Sequence, residues 1–202
     1  YVATDGSLYG HRSVWALSPL GKPLWNHVDG LLVRMALGED GHLYAIDANH
    51  DMALRLQGPH RLLSLTTAGD LRWQVEFPDW RSIAARDAMA VGPSGPVVRA
   101  GDAVIALTPD GAERWRVALA PRVPSVPGPI LDRDENAYFS AGDEVISVDR
   151  NGRERWRLPV PQAGRAILAG EGLLAVASAN RRVFLVHDKG VEPRRSEAPG
   201  AI

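Results

Sequence analysis

Five short segments of this chain repeat one pattern of apolar and polar positions. Val14-Trp15-Ala16-Leu17, Leu62-Leu63-Ser64-Leu65, Val104-Ile105-Ala106-Leu107, Val145-Ile146-Ser147-Val148 and Val183-Phe184-Leu185-Val186 are apolar or small in every column. A strand shows alternate residues to opposite faces, so four such columns in a row predict strands covered on both sides. The third column stays small in four copies (Ala16, Ser64, Ala106, Ser147), as a close approach between sheets demands. No stretch between the copies carries a long helical period, so the cover is expected to come from neighbouring copies of the same sheet.

Each apolar segment runs into a polar turn: Ser18-Pro19-Leu20-Gly21, Thr66-Thr67-Ala68-Gly69, Thr108-Pro109-Asp110-Gly111, Asp149-Arg150-Asn151-Gly152 and His187-Asp188-Lys189-Gly190. A polar first residue, proline allowed second and glycine fourth predict a type I turn closed by a residue at positive φ, where glycine alone sits without steric cost. The glycines are 48, 42, 41 and 38 residues apart, and four of the six tryptophans, Trp25, Trp73, Trp115 and Trp156, follow their glycine by four positions. These glycine–tryptophan pairs are expected to be structural, with the indole packed inward on an adjacent sheet. Around them, Arg114, Arg116, Arg155 and Arg157 are expected to guard an outer edge strand against pairing with other chains.

A second hairpin precedes each of these, marked by TDGSLYG at Thr4, EDGHLYA at Glu39, PSGPVVR at Pro93, RDENAYF at Arg133 and GEGLLAV at Gly170. A four-stranded unit of about 40 residues, repeated, is the signature of a β-propeller. The predicted fold is therefore all-β, with five antiparallel blades at approximately 1–28, 29–78, 79–120, 121–160 and 161–202, forming one region. A β-sandwich is the competing architecture, but it does not require five registers so alike. Tyr1 falls inside the first strand of its blade, which favours five blades of a larger ring over a complete five-bladed one.

Composition narrows the function classes. A formal net charge of -1 leaves no excess of cations to release counterions from a nucleic acid, so no nucleic-acid partner is expected. No apolar run is long enough to span a bilayer as a helix, so membrane insertion by this segment is not expected either. The chain contains no cysteine, which excludes disulfides, thiolate metal sites and a cysteine nucleophile.

The phrases VWALSPLGKPLW (Val14 to Trp25) and VIALTPDGAERW (Val104 to Trp115) resemble the quinoprotein-like propeller repeat, apolar-apolar-Ala-Leu, turn, Gly-x-x-x-Trp. In that family the tryptophan acts as a docking ring between blades. The same repeat is seen in pyrroloquinoline quinone-dependent alcohol dehydrogenases and in non-catalytic members such as periplasmic outer-membrane assembly lipoproteins. The resemblance thus implies the fold, a periplasmic or extracellular setting and a protein partner, without fixing an activity. Two departures stand out: Arg194 occupies the tryptophan position of the fifth copy, and the cysteine pair that some of the dehydrogenases carry is missing.

Candidate chemistry is sparse. Asp132, Asp134, Asn136 and Asp143 have spacings like those of a calcium loop, but the central glycine is missing and the stretch coincides with a repeated hairpin; a turn is expected and no metal. The six histidines contain no His-x-x-x-His pair and read as surface residues. The segment Asp47 to Arg61 lengthens the second blade between its second and third strands. Its polar groups Asp47, His50, Asp51, Arg55 and His60 form the candidate binding set, since long loops on rigid scaffolds often bind. The expected function is a non-catalytic scaffold binding another protein, with no cofactor. The alternative is a fragment of a quinone-dependent dehydrogenase whose cofactor site lies elsewhere, and a sensor domain of a longer protein is a third reading.

Overall fold

The computed structural model describes residues 2–4, 13–27, 32–47, 59–78, 88–119, 127–170, 172–187 and 194–196, with no helix among them. The strands form five antiparallel sheets, each a meander in chain order. The first has three strands, β1 (Val2–Thr4), β2 (Ser13–Leu17) and β3 (Pro23–His27). The second has β4 (Leu32–Leu37), β5 (Leu43–Asp47), β6 (His60–Leu65) and β7 (Leu71–Phe77), and the third β8 (Met89–Gly92), β9 (Gly95–Ala100), β10 (Ala103–Leu107) and β11 (Glu113–Ala118). The fourth holds β12 (Ile130–Leu131), β13 (Ala137–Ser140), β14 (Glu144–Val148) and β15 (Glu154–Pro159), and the fifth β16 (Ala163–Gly170), β17 (Leu173–Ser178), β18 (Arg182–His187) and β19 (Arg194–Ser196).

The sheets stack in sequence order. The first strands β4, β8, β12 and β16 touch one another in turn, which gathers the inner edges of the four complete sheets along one line. Closure between the fifth sheet and the first is not seen among the described residues.

Alternation along the third strand explains why all its columns are apolar. In β10, Ile105 and Leu107 join Tyr44, Ile46 and Leu62 of the second sheet in one core. Val104 and Ala106, on the opposite face, join Phe139, Ile146 and Val148 of the fourth sheet in another. In β14, Ile146 and Val148 face back in the same way while Val145 faces forward to Leu174, Val176 and Phe184. One strand therefore feeds two cores, and every residue of β10 is buried.

The glycine turns form as the sequence predicts. Gly21, Gly69, Gly111 and Gly152 have φ of 78°, 93°, 88° and 82°. Their amides donate to Ser18, Thr66, Thr108 and Asp149 at 2.9–3.0 Å. In each hairpin the ladder slips by one residue directly after the small column, so the residue before the tryptophan is bulged out of the pairing. The tryptophan then lies directly across from the small residue: Ala16↔Trp25, Ser64↔Trp73, Ala106↔Trp115 and Ser147↔Trp156. A small side chain leaves room beside the indole on that face.

Two sequence expectations are corrected by pairing. Val2↔Trp15 repeats the register of Ala45↔Leu63, so β1 is the counterpart of the second strand of its neighbours and Thr4 is its end. TDGSLYG therefore does not begin a first hairpin; residues 5–12, between β1 and β2, lie outside the described residues. The second correction concerns the arginines. Arg116 and Arg157 do face outward, held at 2.7 and 2.8 Å by Glu113 and Glu154. Arg114 and Arg155, bulged beside the indole, instead serve internal bonds described below.

Candidate functional site

The repeated glycine–tryptophan pairs act between sheets rather than within one. The indole N–H of Trp25 donates to the Thr67 carbonyl at 2.7 Å, that of Trp73 to Pro109 at 2.8 Å, and that of Trp115 to Arg150 at 3.0 Å. Each acceptor lies two residues before the glycine of the next sheet's turn. A Cβ placed on Gly69 would sit 2.7 Å from Trp25, one on Gly111 2.8 Å from Trp73, and one on Gly152 2.6 Å from Trp115. Glycine is thus required twice at these turns, by its φ and by the ring seated on it. The partner turn of Trp156 reaches residues 188–190, which are outside the described residues. At the fifth sheet, Leu185 pairs with Arg194, which confirms that arginine stands in the tryptophan register there.

A polar layer accompanies the indoles in the second and fourth sheets. Tyr44 and Tyr138, both fully buried, pair directly with Ser64 and Ser147 and lie with ring centroids 5.9 and 5.8 Å from Trp73 and Trp156. Their hydroxyls donate to Asp40 at 2.6 Å and Asp132 at 2.7 Å. Arg72 donates to Ser64 at 3.2 Å and to the Pro109 carbonyl at 3.1 Å; Arg155 donates to Ser147 at 3.1 Å and Tyr138 at 3.2 Å. In the third sheet Val97 and Ala106 replace the Tyr–Ser pair. Burial acts to raise the Asp40 carboxyl, but the bonds from Tyr44 and the His42 amide, with the His42 and Arg72 charges, outweigh it and leave it below the usual carboxylate range. Burial first, and then the bond to Asp40, push the Tyr44 phenol above its ordinary value.

The calcium-like stretch is a turn, as expected. Asp132 accepts from the amides of Asp134 and Asn136 at 2.9 and 2.8 Å, from the Asn136 side chain at 2.8 Å, and from Tyr138. Both carboxylate oxygens are thereby occupied, and no metal-holding cluster occurs among the described residues. An open cleft of about 550 Å³ lies beside this turn, between Tyr138 and the hairpin of Leu168 to Leu174. Glu135 takes the position that Gly41 holds in the second sheet, at φ 60°. Its carboxylate accepts the Ser94 amide at 2.7 Å and hydroxyl at 2.6 Å, while Arg114 donates to the Ser94 carbonyl at 3.1 Å and to that of Arg150 at 2.6 Å. This second fastening between the third and fourth sheets gave no repeat signal in the sequence, because the glycine that marks the position elsewhere is absent.

Of the candidate binding set, Asp47 and His60 are strand residues with no exposed surface. They end β5 and begin β6, where Asp47 pairs with Arg61 and accepts its Nε at 3.0 Å as well as its Nη2. His60, buried among strands, also departs from the surface placement expected of the histidines. The hydrogen-bonded ladder continues one pair beyond where the apolar pattern ends, which draws both residues out of the loop. His50, Asp51 and Arg55 lie outside the described residues.

Residues 99–192 match the family model described as outer membrane protein assembly factor BamB. Among solved structures, BamB from Moraxella catarrhalis is similar with a TM-score of 0.54 and 14% identity, over 88% of this chain and 68% of that one. A protein of unknown function from Bacteroides caccae has a TM-score of 0.49 and 13% identity, over 93% of this chain and 78% of that one. No curated protein matches the chain. The five stacked sheets and the likeness to BamB establish an all-β propeller fold, and residues 99–192 carry the similarity to the matched repeat family. Among the described residues no helix is long and apolar enough to cross a membrane.

Proposed function

We propose that this chain is a non-catalytic propeller scaffold that binds another protein, as part of a larger exported bacterial protein. The observation that supports it best is the employment of the repeat's polar groups. Asp40, Asp132, Glu135, Arg72, Arg114 and Arg155, the groups most able to do chemistry on this face, are spent on closing turns and fastening one sheet to the next. A rigid frame with its polar residues committed leaves connecting segments to carry recognition. The segment braced at its base by Asp47 and Arg61 is the longest insertion in the repeat, and we assign its His50, Asp51 and Arg55 to the binding surface. The name of the matched family, an outer membrane protein assembly factor, favours a periplasmic setting.

The test is capture from a periplasmic extract on the immobilised chain, compared with a variant lacking Met52 to Gln57. A specific protein retained by the intact chain and lost by the deletion supports the reading. Dye reduction after addition of pyrroloquinoline quinone, calcium and an alcohol overturns it in favour of the dehydrogenase alternative. Capture unchanged by the deletion removes the loop from the site.

A further inference from the structure

The outermost strand of each sheet presents a row of backbone N–H and C=O groups, and most of these edges carry a device that blocks pairing with another chain. β11 has Glu113 and Arg116 bonded along its edge at 2.7 Å, and β15 has Glu154 and Arg157 at 2.8 Å with Pro159 at its end. β3 has Pro23 in the register of those glutamates, since Leu17↔Pro23 matches Leu107↔Glu113 and Val148↔Glu154. β19 is only three residues long. β7 has none of these devices. Leu65↔Leu71 and Leu63↔Gln74 put Leu71 where the glutamate stands in β11 and β15, and Gln74 where the arginine stands. Arg72 is no substitute, being turned to Ser64 and the Pro109 carbonyl.

This unguarded edge is also the longest of the outer strands, at seven residues, and it is open: Leu71 is 51% exposed, and Gln74 and Glu76 are exposed. Its sheet packs on the first sheet behind and the third in front, so the free edge lies on the perimeter whether or not the ring closes. Charge selects what can pair there. Arg61, opposite Glu76 in the ladder, is paired with Asp47, and Arg72 with Asp110. Among the described residues this leaves two exposed carboxylates, Asp70 and Glu76, at the two ends of the strand. A second copy of this chain would bring the same carboxylates to the edge, whereas a strand with cations at its ends matches them. Between the ends, Trp73 and Val75 are half-buried on one face, and Gln74 and Glu76 lie on the other.

We propose that the free edge of β7 takes up an extended segment of another protein as a fifth, antiparallel strand. The segment carries a lysine or arginine opposite Glu76, apolar residues opposite Val75 and Trp73, a polar residue opposite Gln74, and a second cation reaching Asp70. This inference rests on the scaffold reading and adds a second surface to it. Deletion of Met52 to Gln57 leaves every residue of the edge in place, so either surface can fail alone.

The test uses the whole chain and the fluorescein-labelled peptide Lys-Val-Thr-Val-Thr-Lys, with binding read as anisotropy. Saturable binding is expected, weakened by about tenfold when alternate amides of the peptide are N-methylated, or when its lysines are replaced by glutamates. In the chain, Leu71→Glu with Gln74→Arg installs the guard of β11 and is expected to weaken binding by about tenfold. Glu76→Lys is expected to lose the lysine peptide and to gain the glutamate one. All three positions are exposed, so unchanged urea midpoints should accompany these losses. No saturable binding of the lysine peptide, equal binding of the N-methylated peptide, or binding indifferent to both chain variants overturns the proposal. A dimer in sedimentation that Leu71→Glu with Gln74→Arg dissolves also overturns it, by making a second copy the occupant.

Discussion

Alanine at Gly152 and alanine at Gly21 separate the two demands that these turns place on glycine. The two positions have φ of 82° and 78°, so a side chain meets the same backbone penalty at either, about 1 kcal/mol. Among the described residues, only at Gly152 does the new Cβ also collide, 2.6 Å from Cβ and Cγ of Trp115 and 3.0 Å from Cδ2. Those are backbone-proximal atoms of a buried ring and cannot swing aside, so overpacking adds about 1–3 kcal/mol. Gly21→Ala is expected to cost about 1 kcal/mol and Gly152→Ala about 3 kcal/mol, read from urea midpoints at a common slope. Trp115→Ala alone should cost about 3–5 kcal/mol. In its background Gly152→Ala should fall back to about 1 kcal/mol, a coupling of about 2 kcal/mol across the junction. Equal costs at Gly21 and Gly152, or additive effects of Gly152→Ala and Trp115→Ala, refute the seating of this ring on the next sheet's turn.

Asp47→Ala should destabilise by about 3 kcal/mol, because it strands Arg61 beside the vacated position of a fully buried carboxylate; a loss under about 1 kcal/mol in thermal unfolding contradicts its place in the ladder. At position 135, Ala keeps the left-handed strain and loses both bonds to Ser94, whereas Gly relieves the strain, so Glu135→Ala should be less stable than Glu135→Gly by about 1 kcal/mol in the same assay. The folded-state pKa of Asp40 lies below its unfolded value, so the unfolded chain binds the extra proton as pH falls. Its contribution is whole above the ordinary carboxylate range and is lost as pH drops through the folded value. Tyr44→Phe removes a bond that holds that pKa down, so the urea midpoints of the variant and the parent should converge between pH 6 and pH 2.5; a constant gap contradicts the assignment.

The sequence made visible whatever repeats locally. Four glycine turns, the four tryptophans and the small third column could be aligned because each is fixed by backbone geometry or by one cross-strand neighbour. What stayed hidden depends on pairing over a distance. DG in TDGSLYG looks like the DG of EDGHLYA, and only the register Val2↔Trp15 shows that β1 is the counterpart of a second strand. Asp47, read as a loop residue from its polarity, is held in the ladder by Arg61, 14 positions away. Among the described residues the Tyr–Asp–Ser–Arg layer occurs in two sheets, too few to stand out as a period. Glu135 at positive φ ran against the very rule that found its neighbours, since its cost is offset by a partner in another sheet.

The central claim is that each indole sits on the glycine of the following sheet, and an NMR experiment on tryptophan-labelled protein reads it directly. The account predicts nuclear Overhauser contacts from the Trp115 ring to the α-protons of Gly152, from Trp73 to Gly111 and from Trp25 to Gly69, with slowly exchanging indole N–H protons. Contacts from each ring to the glycine of its own turn instead, or indole protons exchanging as fast as free tryptophan, contradict it.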